Sequence, residues 1–323
     1  MVDMNDLSSR SQVTSEPLEP STVSLRFRIR TVIKFLLLLL TIFTVLTAGT
    51  LLMGKNPFED ASSLMTGIPY AIGLFLILLS HSGGHYYMAL RMGAKEDMPW
   101  VFPSLGLTGT SGFIDTLPTS LQSKKARVIV GLSGPTFGMI ISTCVSIYGL
   151  SLSEVAETVS GESNLILGDP PIYIFVQWIV LGNIGDNMDI LLHPIAFAGW
   201  WGFFLSAVHL IPIDPLDGGY IARALIGKNT RWLTLFTLFC LIVTGIMYNT
   251  IWVYLAFLLA VGVILHRWAP RIYAFLFWRR ACKENYATKI DLGKKEKIVV
   301  FVFAVILFFL CFNVSPVSIG YAP

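Results

Sequence analysis

The chain has 323 residues, of which 54% are hydrophobic and only 13% charged, too few charges to solvate a globular surface of this size. A net charge of +3 offers no nucleic-acid surface, and no polar stretch is long enough to fold around a core of its own. The composition therefore points to one membrane domain with the lipid bilayer as solvent.

In chain order, residues 1–31 are polar and end in a basic cluster, Arg26, Arg28 and Arg30, continued by Lys34. There is no apolar core near Met1 and no small-residue cleavage site, so a disordered cytoplasmic tail is expected rather than a cleaved signal peptide. Seven apolar runs follow, each of about the 17 or more residues needed to cross roughly 30 Å of hydrocarbon as a helix. They are Val32 to Met53, Gly67 to Leu90, Ala126 to Leu150, His193 to Pro212, Trp232 to Met247, Ile251 to Arg267 and Ile298 to Asn313. A further apolar piece, Ile172 to Gly182, is too short to span. The expected fold is an all-α polytopic membrane protein with about seven transmembrane helices in a single domain over residues 32–313, closed by a short tail over 314–323.

Charge alternates between the loops. Arg26, Arg28, Arg30 and Lys34 before the first span place the N-terminus in the cytoplasm, and the next loop sets Lys55 against Glu59 and Asp60. Arg91, Lys95, Lys124, Lys125 and Arg127 flank the second connection, whereas the third holds Glu154, Glu157, Glu162 and Asp169 with no Lys or Arg. The basic groups return at Arg223, Lys228 and Arg231 and again from Arg267 to Lys297. The cytoplasmic connection Gly93 to Ser123 mixes Pro99, Pro103, Gly106, Gly109, Gly112 and Pro118 with Trp100, Phe102 and Phe113, the pattern of a re-entrant hairpin. Irregular backbone at membrane depth needs protein or a water-filled cavity beside it. The four cysteines are widely spaced and match neither a disulfide framework nor a thiolate metal site.

Two stretches carry chemistry. In the second run, Ser80-His81-Ser82-Gly83-Gly84-His85 puts two imidazoles four residues apart on one helix face, about 5 to 6 Å apart at Cβ. They can grip one metal ion, or be two packed histidines bonded to neighbouring helices; ionisable groups at membrane depth usually mark function. At the cytoplasmic end of the fourth run, His209-Leu210-Ile211-Pro212-Ile213-Asp214-Pro215-Leu216-Asp217-Gly218-Gly219-Tyr220 breaks the helix with two prolines and two glycines. Asp217 can be a ligand, or an N-cap for a helix beginning near Tyr220 or Ile221. Both runs travel inward, so the two features meet at one depth. His81, His85 and Asp217 with an open fourth position form a catalytic-type zinc set, in which Zn²⁺ lowers the pKa of a water toward about 7.

With these residues in place, the chain resembles the site-2 protease family of intramembrane zinc metalloproteases over roughly Ile72 to Leu225. His81, Gly84 and His85 match the family's His-Glu-x-Gly-His helix, and Pro212, Leu216, Asp217 and Gly218 match its Asn-x-x-Pro-x-x-x-Leu-Asp-Gly motif. Phe102-Pro103, Gly109 to Ile114, Gly134-Pro135 and His193 to Trp200 are also similar to the family, especially its bacterial and plastid branch. The resemblance implies a Zn²⁺-dependent endopeptidase that cuts transmembrane segments of protein substrates, and suggests a bacterial cytoplasmic membrane.

Two family positions differ. Ser82 stands where the family has the glutamate that takes a proton from water and passes it to the leaving amine, and serine cannot do that near neutral pH. His209 replaces the family's Asn, and Tyr220 follows the double glycine. Asp214 and His209 are the residues near enough in sequence to be substitute bases. Three readings follow: a peptidase with a substitute base, a zinc-binding pseudoprotease that holds membrane-protein partners without cleaving them, and a transporter using the intramembrane histidines. The last is disfavoured because no repeated pair of broken helices is visible.

Overall fold

The computed structural model describes residues 20–94, 98–106, 108–115, 117, 121, 123–157, 163–185, 188–268, 292–313 and 317–321. Each of the seven apolar runs is helical. They form α1 (Pro20–Leu52), α2 (Ile68–Arg91), α3 (Lys124–Ser151), α5 (Pro194–Leu210), α7 (Thr230–Met247), α8 (Ile251–Trp268) and α9 (Lys294–Cys311). The short apolar piece is α4 (Pro171–Leu181), and α6 (Asp217–Ile226) opens at the second motif.

Among the described residues, four helical stretches are long and apolar enough to cross a membrane: Arg28–Leu52, Ala61–Arg91, Lys124–Ser151 and Asp217–Met247. Pro194–Leu210 and Ile251–Ile264 are shorter apolar helices. At about 1.5 Å per residue α5 spans about 25 Å, short of a full hydrocarbon crossing. It is nevertheless the most enclosed helix, with Trp200, Phe203, Ala207 and His209 all buried. The chain is thus an all-α polytopic membrane protein, its strands confined to three two-stranded sheets among the described residues.

The re-entrant connection is a β-hairpin. β1 (Trp100–Pro103) pairs antiparallel with β2 (Thr110–Ile114), with a register irregularity between Phe102 and Pro103. Gly109 and Gly112 take positive φ values of 71° and 100° here, conformations costly for a residue with a Cβ. The hairpin is pinned to the helices: Thr44 Oγ1 donates to Gly109 O at 2.6 Å, Tyr70 OH donates to Thr108 O at 2.9 Å, and Lys34 Nζ donates to Met98 O.

Two terminal features add to the sequence reading. The first helix begins at Pro20 rather than Val32, because the basic residues before the apolar run are good helix formers and extend it beyond the hydrocarbon; residues 1–19 of the expected tail lie outside the described residues. At the other end, residues 317–321 form β6, paired antiparallel with β4 (Ser163–Leu167). That pairing is long-range and left no local signal. β3 (Glu154–Glu157) likewise pairs with β5 (Met188–Leu191).

Helix α3 is the hub, packed against α2, α5 and α6. Lipid removes the hydrophobic drive between membrane helices, so close packing must come from small residues that let backbones approach. Gly131, Gly134, Gly138, Ser142 and Ser146 supply this on α3. Gly131 abuts Ile221 of α6, and Ser142 and Ser146 sit against Gly202 and Gly199 of α5.

Candidate metal centre

His81 and His85 lie in the second half of α2, their side chains 2% and 0% exposed. The ring centroids are 5.0 Å apart, and the two Nε2 atoms approach to 3.2 Å. The His85 tautomer is set by the main chain: its Nδ1–H donates to Val130 O at 2.7 Å, which turns the Nε2 lone pair toward His81.

The chain between α5 and α6 is unwound, as the prolines require. Gly218 and Gly219 let α6 fold back on the end of α5, since a Cβ on either would press into backbone at Ile211 or Ile213 within about 2.5 Å. The N-cap of α6 is Leu216, and Asp217 is its first helical residue. The Asp217 carboxylate therefore does not cap the helix. Its Oδ2 lies 3.0 Å from His81 Nε2 and 3.2 Å from His85 Nε2.

These three donor atoms form a nearly equilateral triangle with sides of 3.0, 3.2 and 3.2 Å. Tetrahedral ligands at about 2.0 to 2.1 Å from an ion stand roughly 3.3 Å apart, so the spacing and the N,N,O donor set fit a divalent cation such as zinc. Gly134 of α3 closes one side, where any side chain would intrude on both imidazoles, and Gly138 leaves 3.1 Å between an added Cβ and His81 Nδ1.

His209 joins the cluster but does not stand free as a base. Its Nδ1 is 3.0 Å from the same Asp217 Oδ2, and its ring stacks on Phe113 with centroids 4.6 Å apart. Its geometry also admits a ligand set of His81, His209 and Asp217. Asp214 is not brought to the site: its carboxylate is ion-paired with Arg223 of α6.

Sequence reasoning missed Asp115, which follows β2 directly. Its carboxylate is 2% exposed, with Oδ2 3.9 Å from His85 Nε2, and with Ser82 it lines one cavity. Burial pushes the Asp115 carboxyl above the usual carboxylate range. A signal was present, since Asp115 is the only acidic residue between Asp97 and Lys124, set in a stretch read as dipping into the bilayer. Beside it opens a cavity of about 430 Å³ bounded by α1, α2 and the hairpin, lined by Phe75, Leu78, Ser82, Val101, Phe113 and Asp115 among others.

Comparison with known proteins shows the family. The sequence model described as peptidase family M50 matches residues 69–235, over half of the chain. "Probable zinc metalloprotease EGY1, chloroplastic" of Arabidopsis thaliana is 29% identical over 182 residues, 54% of this chain and 31% of that protein. Its counterpart in Oryza sativa subsp. japonica is 27% identical over 245 residues, 67% of this chain and 41% of that protein. "Probable zinc metallopeptidase EGY3, chloroplastic" of Arabidopsis is 27% identical over 214 residues, 59% of this chain and 35% of that protein. The chain thus spans about a third of the length of these relatives. All three are named as plant chloroplast proteins, which runs against the bacterial expectation while agreeing with the plastid side of the resemblance. No solved structure matches the chain.

Proposed function

Because the chain belongs to peptidase family M50, we propose that it is an intramembrane zinc metallopeptidase that hydrolyses peptide bonds in the transmembrane segments of protein substrates. His81, His85 and Asp217 are the proposed ligands. The observation that carries the reading is the convergence of their donor atoms, 3.0 to 3.2 Å apart, from two elements distant in sequence. The chemistry such an ion supplies is polarisation of the scissile carbonyl and acidification of a water molecule.

The chain's own residues do the rest. Val130 O orients His85, and His209 holds the Asp217 carboxylate in place. The mostly apolar cavity beside Ser82 suits an apolar substrate segment unwound near the site, with Phe113 and Leu78 on its wall. The basic residues flanking the connection between α2 and α3, and Arg223, Lys228 and Arg231 after α5, support a site near the cytoplasmic face.

Ser82 favours a second reading, a zinc-binding pseudoprotease that holds membrane-protein partners without cutting them. Purified full-length protein in lipid nanodiscs tests both. Near-stoichiometric zinc with cleavage of a single-pass substrate supports the peptidase, and zinc without cleavage across a substrate panel supports the pseudoprotease. Absence of zinc after metal loading defeats both.

A further inference from the structure

We infer that Asp115 is the proton-transfer residue of this site, a carboxylate delivered by the β-hairpin to the place of the glutamate that the chain lacks at Ser82. The inference rests on the peptidase reading and goes beyond it by naming the group that makes turnover feasible.

Position comes first. Ser82 follows the first proposed ligand on α2, and Asp115, which comes directly after β2, lines the same cavity as Ser82. Asp115 Oδ2 is 3.9 Å from His85 Nε2, beyond the 3.0 to 3.2 Å sides of the donor triangle. It is therefore set back from the His81–His85–Asp217 triangle, and since His81, His85 and Asp115 also lie close enough together to hold an ion, the zinc and cobalt readouts below separate the two roles.

Partnering comes second. Among the described residues Asp115 Oδ2 is buried without a hydrogen-bond partner. Leaving a buried carboxylate oxygen unpaired costs stability, and a water or a substrate amide beside His85 would supply the missing bond. Ser82 and Asp115 both line the 430 Å³ cavity, so the carboxylate is next to the space a substrate segment would fill. The other nearby acids are engaged, Asp214 with Arg223 and Asp217 with three imidazoles.

The step balances without a further reagent. As the water oxygen bonds to the scissile carbonyl carbon, its proton passes to the Asp115 carboxylate. As the C–N bond breaks, that proton passes to the departing nitrogen, leaving one new carboxyl and one new amine and returning Asp115 to its starting form.

The test uses zinc-loaded full chain in nanodiscs with fluorescent single-pass substrates. Asp115→Asn should lower kcat by about 10² to 10⁴-fold with KM little changed. It should keep one zinc per chain, leave the absorption spectrum of the cobalt-substituted protein unaltered, and melt no lower than the parent, because the amide has nearly the shape of the carboxyl it replaces. Adding Ser82→Glu to Asp115→Asn should restore cleavage. Loss of zinc or a changed cobalt spectrum in Asp115→Asn would make Asp115 a ligand and overturn the inference. A parent that is silent while Ser82→Glu alone cleaves would overturn it too, with the peptidase site intact. Silence from every variant together with no bound zinc would instead remove the peptidase reading itself.

Discussion

Gly134 of α3 lies so close against His85 of α2 that a Cβ on it would overlap the imidazole Nε2 and come within 2.6 Å of His81 Cδ2. The imidazoles have no room to retreat, since His81 also contacts Phe113 and His209 at centroid distances of 4.7 and 4.6 Å. A glycine on a helix that contributes no ligand thus sets how near α3 may come to the donor triangle.

Gly134→Ala should therefore weaken zinc binding by about tenfold or more, as supporting contacts around metal ligands commonly do. Gly83→Ala, where a Cβ meets nothing within 4 Å, should leave it unchanged. Chelator competition on the two purified variants measures this, and equal affinities would contradict the assigned packing.

Removing a ligand should differ from removing its support. His81→Ala, His85→Ala and Asp217→Ala each leave two protein donors and should abolish stoichiometric zinc. His209→Ala removes only the group holding Asp217 and should cost about 10 to 100-fold in affinity while binding persists. Should His209→Ala empty the site as completely as His81→Ala, His209 belongs to the ligand set.

Asp214→Asn should leave the cleavage rate unchanged, because Asp214 faces Arg223 rather than the metal centre. It should lower stability by about 1 kcal/mol, the scale of a charge-assisted bond near a surface. A loss of activity with normal melting would return Asp214 to the site.

Asp169, ahead of α4, has its carboxyl pushed up to about 6 by burial, with the Asp189 charge adding to the rise and a hydrogen bond from Gln177 at 3.0 Å opposing it. Unfolded, it would titrate near its ordinary value of about 3.9. Between those values the folded chain holds the extra proton, so stability from this group is full below about pH 4 and falls as pH rises through 6. Asp169→Asn is always neutral and should be more stable than the parent at pH 7.5 by about 1 to 2 kcal/mol, with the advantage gone at pH 4. Melting curves at the two pH values check it, and an advantage that grows on acidification would reverse the assignment.

Hydropathy and spacing are local properties, and what rests on them was legible in the sequence. All seven apolar runs became helices, Ile172 to Gly182 proved short, and the Pro- and Gly-rich connection became a hairpin. The four-residue spacing of His81 and His85 and the broken helix before Asp217 made the three residues candidates for one cluster, because helix period and loop charge limit where each group can be. The same local logic made Asp214 and His209 the candidate bases, being near Asp217 along the chain. Tertiary structure decided otherwise. A turn between two helices can aim adjacent side chains in opposite directions, and here it sends Asp214 to Arg223 and Asp217 to the imidazoles. Meanwhile the hairpin, pinned by Thr44 and Tyr70 from α1 and α2, carries Asp115 to 3.9 Å from His85 Nε2 and into the cavity that Ser82 lines. No periodicity encodes that meeting, since it depends on how a loop of irregular backbone docks on helices already packed through glycine.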